Sequence, residues 1–245
     1  MALKAVVFDF NGIIINDESI HEKLILELLL EENLRPDRSE FQRVCLGRSD
    51  RVCLQEILEN RGRYVTEEYL SSLMQRKAQA YQRELERLEK LPIYNGLNEF
   101  ILKLRVENLK LALVSGALRT EIEMVLDRIQ LKAQFPVIVA GDDIVTSKPE
   151  PDGYLLAVDR LNEVYPSLNL KPSECLAIED TPAGIEAARR AEMQVLGVAN
   201  TYPAHMLQRQ VDWVVDYLAE LELDRVRHAF ETQKRIPLDR SEKLS

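Results

Sequence analysis

Short apolar runs recur along the chain, each closing in polar or glycine residues, and stretches with helical spacing separate most of them. The first, Ala5-Val6-Val7-Phe8-Asp9-Phe10, is almost continuously apolar, the pattern of a strand buried on both faces. Leu109 to Ser115, Pro136 to Ala140, Glu174 to Asp180, Gln194 to Ala199 and Asp212 to Val215 have the same character. Such strands alternating with helices predict an α/β fold: a Rossmann-like, mainly parallel sheet with helices on both faces.

Residues 17–91 break this rhythm, being charged and helix-rich without a strand-like run. Within them Glu67 to Lys90 combine dense helix formers with apolar positions at helical spacing, and Pro92 and Asn95-Gly96 stop the pattern. The segment reads as an α-helical cap inserted into a core built from residues 1–16 and 92–222, with hinges at 14–17 and 91–96. Trp213, on the last apolar run, is expected in the core. Residues 223–245 read as a tail, a helix with a frayed end in which the last ten residues have little to bury.

Composition narrows the partner. The 245 residues, 46% hydrophobic, suffice for a full core, and 41 acidic against 32 basic side chains leave no basic surface for nucleic acid or an anionic membrane. No apolar run approaches the ~20 residues of a membrane-spanning helix, and the N-terminus enters the first strand without the features of an export leader. A small soluble metabolite and a cytoplasmic location are therefore expected, and the composition leaves open whether the protein is a monomer or a dimer. Cys45, Cys53 and Cys175 match no zinc spacing or disulfide framework and are read as reduced thiols.

Ligands of open α/β sheets bind at the carboxyl ends of the strands. Asp9 closes the first run, Ser115 the second, Lys148 follows the third, and Glu179-Asp180 end the fourth. A carboxylate nucleophile, a hydroxyl and an ammonium for phosphoryl oxygens, and further acids for a cation form a coherent set for phosphoryl transfer. Mg²⁺ reconciles an anionic nucleophile with an anionic substrate. Taken singly, such residues are more often turn, cap or surface groups.

The segments Asp9-Phe10-Asn11-Gly12, Ser115-Gly116, Lys148-Pro149-Glu150-Pro151-Asp152 and Glu179-Asp180-Thr181-Pro182-Ala183-Gly184-Ile185, in that order and spacing, resemble the haloacid dehalogenase superfamily. The resemblance covers nearly the whole chain. It lies in the subgroup with a helical cap after the first motif, close to β-phosphoglucomutase and sugar-phosphate phosphatases. It implies that Asp9 becomes an aspartyl-phosphate, that Ser115 and Lys148 hold the phosphoryl group, and that Asp9, the Asn11 backbone carbonyl, Glu179 and Asp180 serve Mg²⁺. It assigns substrate contacts to Gly116 and, from the cap, to His21, Arg48 and Lys77; residue type alone makes Arg48, Arg51 and Lys77 surface groups. It also implies that Gly184 permits close packing where the helix after Asp180 leaves the sheet.

One position departs from the family's phosphatases and mutases, which carry at the place of Asn11 an Asp that protonates the leaving group. Asn can neither donate that proton nor activate water, a difference worth roughly 10²–10⁴-fold in rate. Four readings stay open: an inactivating change, a slow phosphatase, a binding protein that kept the fold, or a phosphonatase-like branch using a cap lysine such as Lys77 or Lys90. If only the proton donor is missing, Asn11→Asp is expected to raise turnover strongly. Asp50 and Ala117 stand where the mutase has an Arg and a hydroxyl, which favours hydrolysis over phosphate exchange. The Asn11-Gly12 pair is also a sequence prone to deamidation. His205 and His228 lie outside every motif.

Overall fold

Six strands form one sheet in the computed structural model, which describes residues 2–232. They are β1 (Ala5–Phe8), β2 (Lys110–Val114), β3 (Val137–Val139), β4 (Cys175–Glu179), β5 (Gln194–Val198) and β6 (Trp213–Val215). Their order is β3-β2-β1-β4-β5-β6 and every neighbouring pair is parallel. The first strand is thus central, with Phe8 registered against Leu113 on one side and Ile178 on the other.

Four helices fill the inserted segment after β1: α1 (Glu18–Glu31), α2 (Arg38–Val44), α3 (Asp50–Asn60) and α4 (Glu67–Glu86). The last of these stops short of the expected Lys90. Six more surround the sheet: α5 (Leu97–Val106), α6 (Arg119–Arg128), α7 (Asp152–Val164), α8 (Pro182–Arg190), α9 (Ala204–Leu207) and α10 (Leu223–Thr232).

Alternation along each strand makes two apolar layers. Val6 and Phe8 join Leu113 and Ile178 on the face covered by α5, α6 and α10, whereas Ala5 and Val7 join Val114 and Ala177 on the face covered by α7, α8 and α9. The inserted helices enclose a third cluster of their own, with Ile25, Leu29, Phe41, Leu54, Leu58, Leu70 and Leu73 at its centre. Tyr81 and Leu85, further along α4, instead join the layer above the sheet. One helix therefore serves both bodies.

Three expectations change. Trp213 is only half-buried because β6 is an edge strand; its ring stacks on Phe230 of α10 at 6.2 Å. The same helix packs Leu223, Val226 and Phe230 into the core, so the start of the tail is part of the fold; the last ten residues lie outside the described residues. Cys45 and Cys53 are joined in a disulfide rather than carried as thiols. Their spacing means little along the sequence. The turn from α2 into α3 brings their Cα atoms to 4.7 Å, within the range a disulfide spans. Cys175 is the free, buried cysteine, its thiol pushed up to about 12 by burial. Among the described residues no helix is long and apolar enough to cross a membrane.

Candidate active site

Asp9, Ser115, Glu179 and Asp180 follow β1, β2 and β4 or end them, so the parallel sheet delivers them to one edge, and the loop after β3 returns Lys148 to the same place. Lys148 Nζ lies 2.7 Å from Asp9 Oδ1 and 2.6 Å from Glu179 Oε1. Tyr154, at the start of α7, also donates its hydroxyl to that Glu179 oxygen. Burial opposes the Lys148 charge, but Asp9 and Glu179 outweigh it and hold the ammonium well above its ordinary value. The opposite happens to Asp9. Burial first, then the repulsion of Glu179, raises its carboxyl to about 7 despite Lys148.

Carboxylate oxygens of Asp9, Glu179 and Asp180 lie within 4.8 Å of one another, all on buried side chains. Three acids against one ammonium leave the cluster short of positive charge. Asp180 Oδ2 accepts from the Thr201 hydroxyl, but Asp180 Oδ1 is buried and receives no hydrogen bond from the described residues. Burial and then Asp9 and Glu179 push the Asp180 carboxyl well up. Buried polar atoms are nearly always partnered, so an orphaned acceptor inside an acidic cluster fits a hard, oxygen-seeking cation.

Two glycines make that closeness possible. Gly12 has φ of +79°, and a Cβ there would lie 1.9 Å from Asp180 Oδ2. A Cβ on Gly184, in the first turn of α8, would fall 2.1 Å from the Glu179 carboxyl carbon, which gives the packing expected of this residue its physical cause. Thr181 begins α8 by accepting the Gly184 N–H at 3.3 Å, with Pro182 in the first turn, where its missing N–H costs nothing.

Ser115 is buried and accepts the Ala117 N–H at 3.0 Å, while its own hydroxyl reaches Asn11 Oδ1 at 3.4 Å. The Asn11 nitrogen points the other way and donates to Asp17, 3.1 Å from each carboxylate oxygen. Gly12 N–H donates to Ile15 at 2.8 Å. Deamidation needs that backbone nitrogen to attack the Asn11 amide carbon, so the fold holds both partners away from the reaction the dipeptide invites.

From the cap come His21, Gly47, Arg48 and Asp50, which line a cleft with Asp9, Asn11, Gly116 and Lys148. Arg48 is paired with Glu56 at 2.6 Å and Arg51 with Glu67, so Arg51 is a surface pair outside the cleft. Lys77 is the reverse of a surface lysine. It is 1% exposed, 2.5 Å from Asp50, 3.5 Å from Glu121 of α6 and 2.7 Å from His21 Nδ1. Burial disfavours its charge, but Asp50 and Glu121 raise the amine above its ordinary value. Lys90, His205 and His228 are exposed and away from the cleft.

The inserted segment lies against the sheet edge. Ser49 N–H donates to Ser147 Oγ at 2.9 Å, and a Cβ on Gly116 would lie 2.9 Å from Ser49 backbone. The space enclosed is ≈ 40 Å³, room for a few waters.

Asp17, Tyr154 and Glu121 escape the sequence reading. Asp17 stands shortly after Asn11 at the head of α1, where it looks like an ordinary cap; Tyr154 and Glu121 follow their motifs closely but carry no signal of their own.

The family model described as haloacid dehalogenase-like hydrolase matches residues 6–198. The chain is similar to the β-phosphoglucomutase of Bacillus subtilis, 29% identical over 232 residues that cover 94% of this chain and 96% of that one. It is also similar to the phosphorylated carbohydrates phosphatase of Thermotoga maritima, 27% identical over 201 residues, 81% of this chain and 87% of that one. In fold it matches the crystal structure of β-phosphoglucomutase from Clostridium difficile with a TM-score of 0.80 at 23% identity, covering 94% and 97% of the two chains.

Proposed function

The chain belongs to the haloacid dehalogenase-like hydrolase family, and on that premise we propose that it is a Mg²⁺-dependent phosphatase of small phosphorylated metabolites, sugar phosphates foremost. The observation that carries the reading is Lys148 bridging Asp9 and Glu179 beside the orphaned oxygen of Asp180. The phosphorylated carbohydrates phosphatase among the relatives supports the substrate class.

In this reading Asp9 attacks phosphorus and carries the phosphoryl group as an aspartyl-phosphate. Lys148, held cationic, and Ser115 bind the phosphoryl oxygens. Asp9, the Asn11 carbonyl, Glu179 and Asp180 would hold Mg²⁺, which when bound supplies charge neutralisation at the phosphoryl oxygens. Gly116 and the cap residues His21 and Arg48 face the rest of the substrate. Lys77 supports them from behind by pairing with Asp50. The cleft is narrow, and movement of the cap would widen it for a sugar phosphate.

Asn11 cannot supply a proton, so the leaving oxygen takes one from water and turnover is slow. That same residue favours a second reading, a homologue that binds a phosphorylated ligand without processing it. A phosphonatase needs a neutral cap lysine, which the raised Lys77 amine is not. Wild type and Asp9→Asn assayed on a phosphate-ester panel with and without Mg²⁺ decide between them. Mg²⁺-dependent hydrolysis lost in Asp9→Asn is expected; no hydrolysis by wild type sinks the phosphatase reading.

A further inference from the structure

Asp17 sits at the N-cap of α1 but does not cap it: its side chain makes no hydrogen bond to the helix backbone. An N-cap Asp ordinarily accepts from the second or third N–H of its helix. Here both oxygens turn into the buried hinge and accept from Asn11 Nδ2, at 3.1 Å each, from His21 Nε2 at 3.2 Å and from the Tyr81 hydroxyl. Asp17 is fully buried. A residue that breaks a local rule at a catalytic edge is one whose position is set by the site.

The partners also fix the direction of each bond. The Lys77 ammonium has no lone pair, so His21 Nδ1, 2.7 Å away, accepts, and Nε2 carries the proton that goes to Asp17. A carboxylate only accepts, so the Asn11 nitrogen must face Asp17 and its oxygen must face Ser115. A flipped amide would set its oxygen against both Asp17 oxygens; as placed, its nitrogen also lies 3.1 Å from His21 Nε2.

We propose that Asp17 is the positioning residue for Asn11, and that the two are a matched pair that admits a carboxylate at position 11 only when position 17 gives up its own. The kinetic part of this proposal rests on the phosphatase reading; the pairing does not. Asn11→Asp keeps the shape but sets acceptor against acceptor at the same separation in a dry hinge, so it is not a restoration of an acid. When Asn11→Asp is combined with Asp17→Asn, the new amide at position 17 donates its nitrogen to the new carboxylate at position 11. Its oxygen still accepts from His21 and Tyr81, and one of the two contacts between positions 11 and 17 is restored with its direction reversed.

The test is a four-protein cycle of wild type, Asn11→Asp, Asp17→Asn and the double exchange, read by thermal melting and by Mg²⁺-dependent hydrolysis of p-nitrophenyl phosphate. Each single exchange is expected to lower Tm and the double exchange to recover it, a non-additivity characteristic of residues in contact. In the same proteins Asn11→Asp alone should not exceed wild-type turnover, whereas the double exchange should exceed Asn11→Asp by about tenfold or more in kcat, with KM nearly unchanged. An Asn11→Asp protein that fails to fold beside a double exchange that folds carries the same meaning. Additive Tm changes, a double exchange that does not fold, or a large kcat gain in Asn11→Asp alone each overturn the proposal. If no protein of the four hydrolyses the ester while the Tm cycle is non-additive, the pairing stands and the phosphatase reading fails.

Discussion

The ammonium of Lys148 lies 2.7 Å from Asp9 Oδ1, with both side chains buried at the edge of a sheet whose neighbouring acids find no other cation among the described residues. Removing one partner of a buried ion pair costs about 3–5 kcal/mol because the other charge is left uncompensated. Lys148→Met should therefore lower Tm by roughly 6–20 °C for a protein of this size. It should also make Tm rise more steeply with added Mg²⁺ than in wild type, and leave no measurable hydrolysis. Differential scanning fluorimetry across a Mg²⁺ series checks the first two, and an equal Mg²⁺ response in both proteins would count against the cation site.

The same cluster dictates a pH dependence. Asp9 is raised to about 7 and Asp180 is raised well above its ordinary value, so below neutrality these groups hold protons that a cation must displace. Mg²⁺ affinity is therefore expected to be weak below about pH 7 and to strengthen as pH rises through it. Calorimetric titration at about pH 6 and about pH 8, either side of the Asp9 transition, gives the sign directly, with proton release followed by buffers of different ionisation enthalpy. Affinity that is flat across this window contradicts the assignment.

Ser147 offers a mild way to loosen the cap. Its hydroxyl accepts the Ser49 N–H across the two bodies, a single hydrogen bond worth about 0.5–1.5 kcal/mol. Ser147→Ala should lower Tm by roughly 1–6 °C, since the unliganded protein already makes this contact. An unchanged Tm would show that the bond is not made in the unliganded protein.

Asn11 should also survive storage. With its amide held by Asp17 and Gly12 N–H bound to Ile15, native protein aged at neutral pH is expected to show no mass gain in the Asn11 peptide, while unfolded protein gains mass. Peptide mass spectrometry of both samples makes the comparison.

Much of this architecture is legible in the sequence because strands buried on both faces leave continuous apolar runs, and each of the strands β1 to β6 falls within one. The motif residues are legible for a related reason: Asp9, Ser115 and Asp180 each sit at the polar end of a run. What escapes is what needs the third dimension. Lys77 lies on the same stripe of α4 as Leu70, Leu73 and Tyr81, so its burial follows from helical spacing, but its residue type argues for the surface. Asp17 satisfies every rule for a helix cap, and only the fold shows its oxygens turned elsewhere. The Cys45–Cys53 bond depends on a turn angle that spacing along the chain does not encode.

The central place of β1 bears on how the molecule comes into being. Its hydrogen-bonding neighbours are β2 and β4, far along the chain, so β1 waits, apolar on both faces, until both have been synthesised. The inserted helices have a cluster of their own, from Ile25 to Leu73, and can condense long before that. Late, long-range pairing of this kind is slow and leaves hydrophobic surface exposed meanwhile. The layout that gathers the chemistry at the middle of the sheet thus leaves β1 with both edges unpaired until the later strands are made.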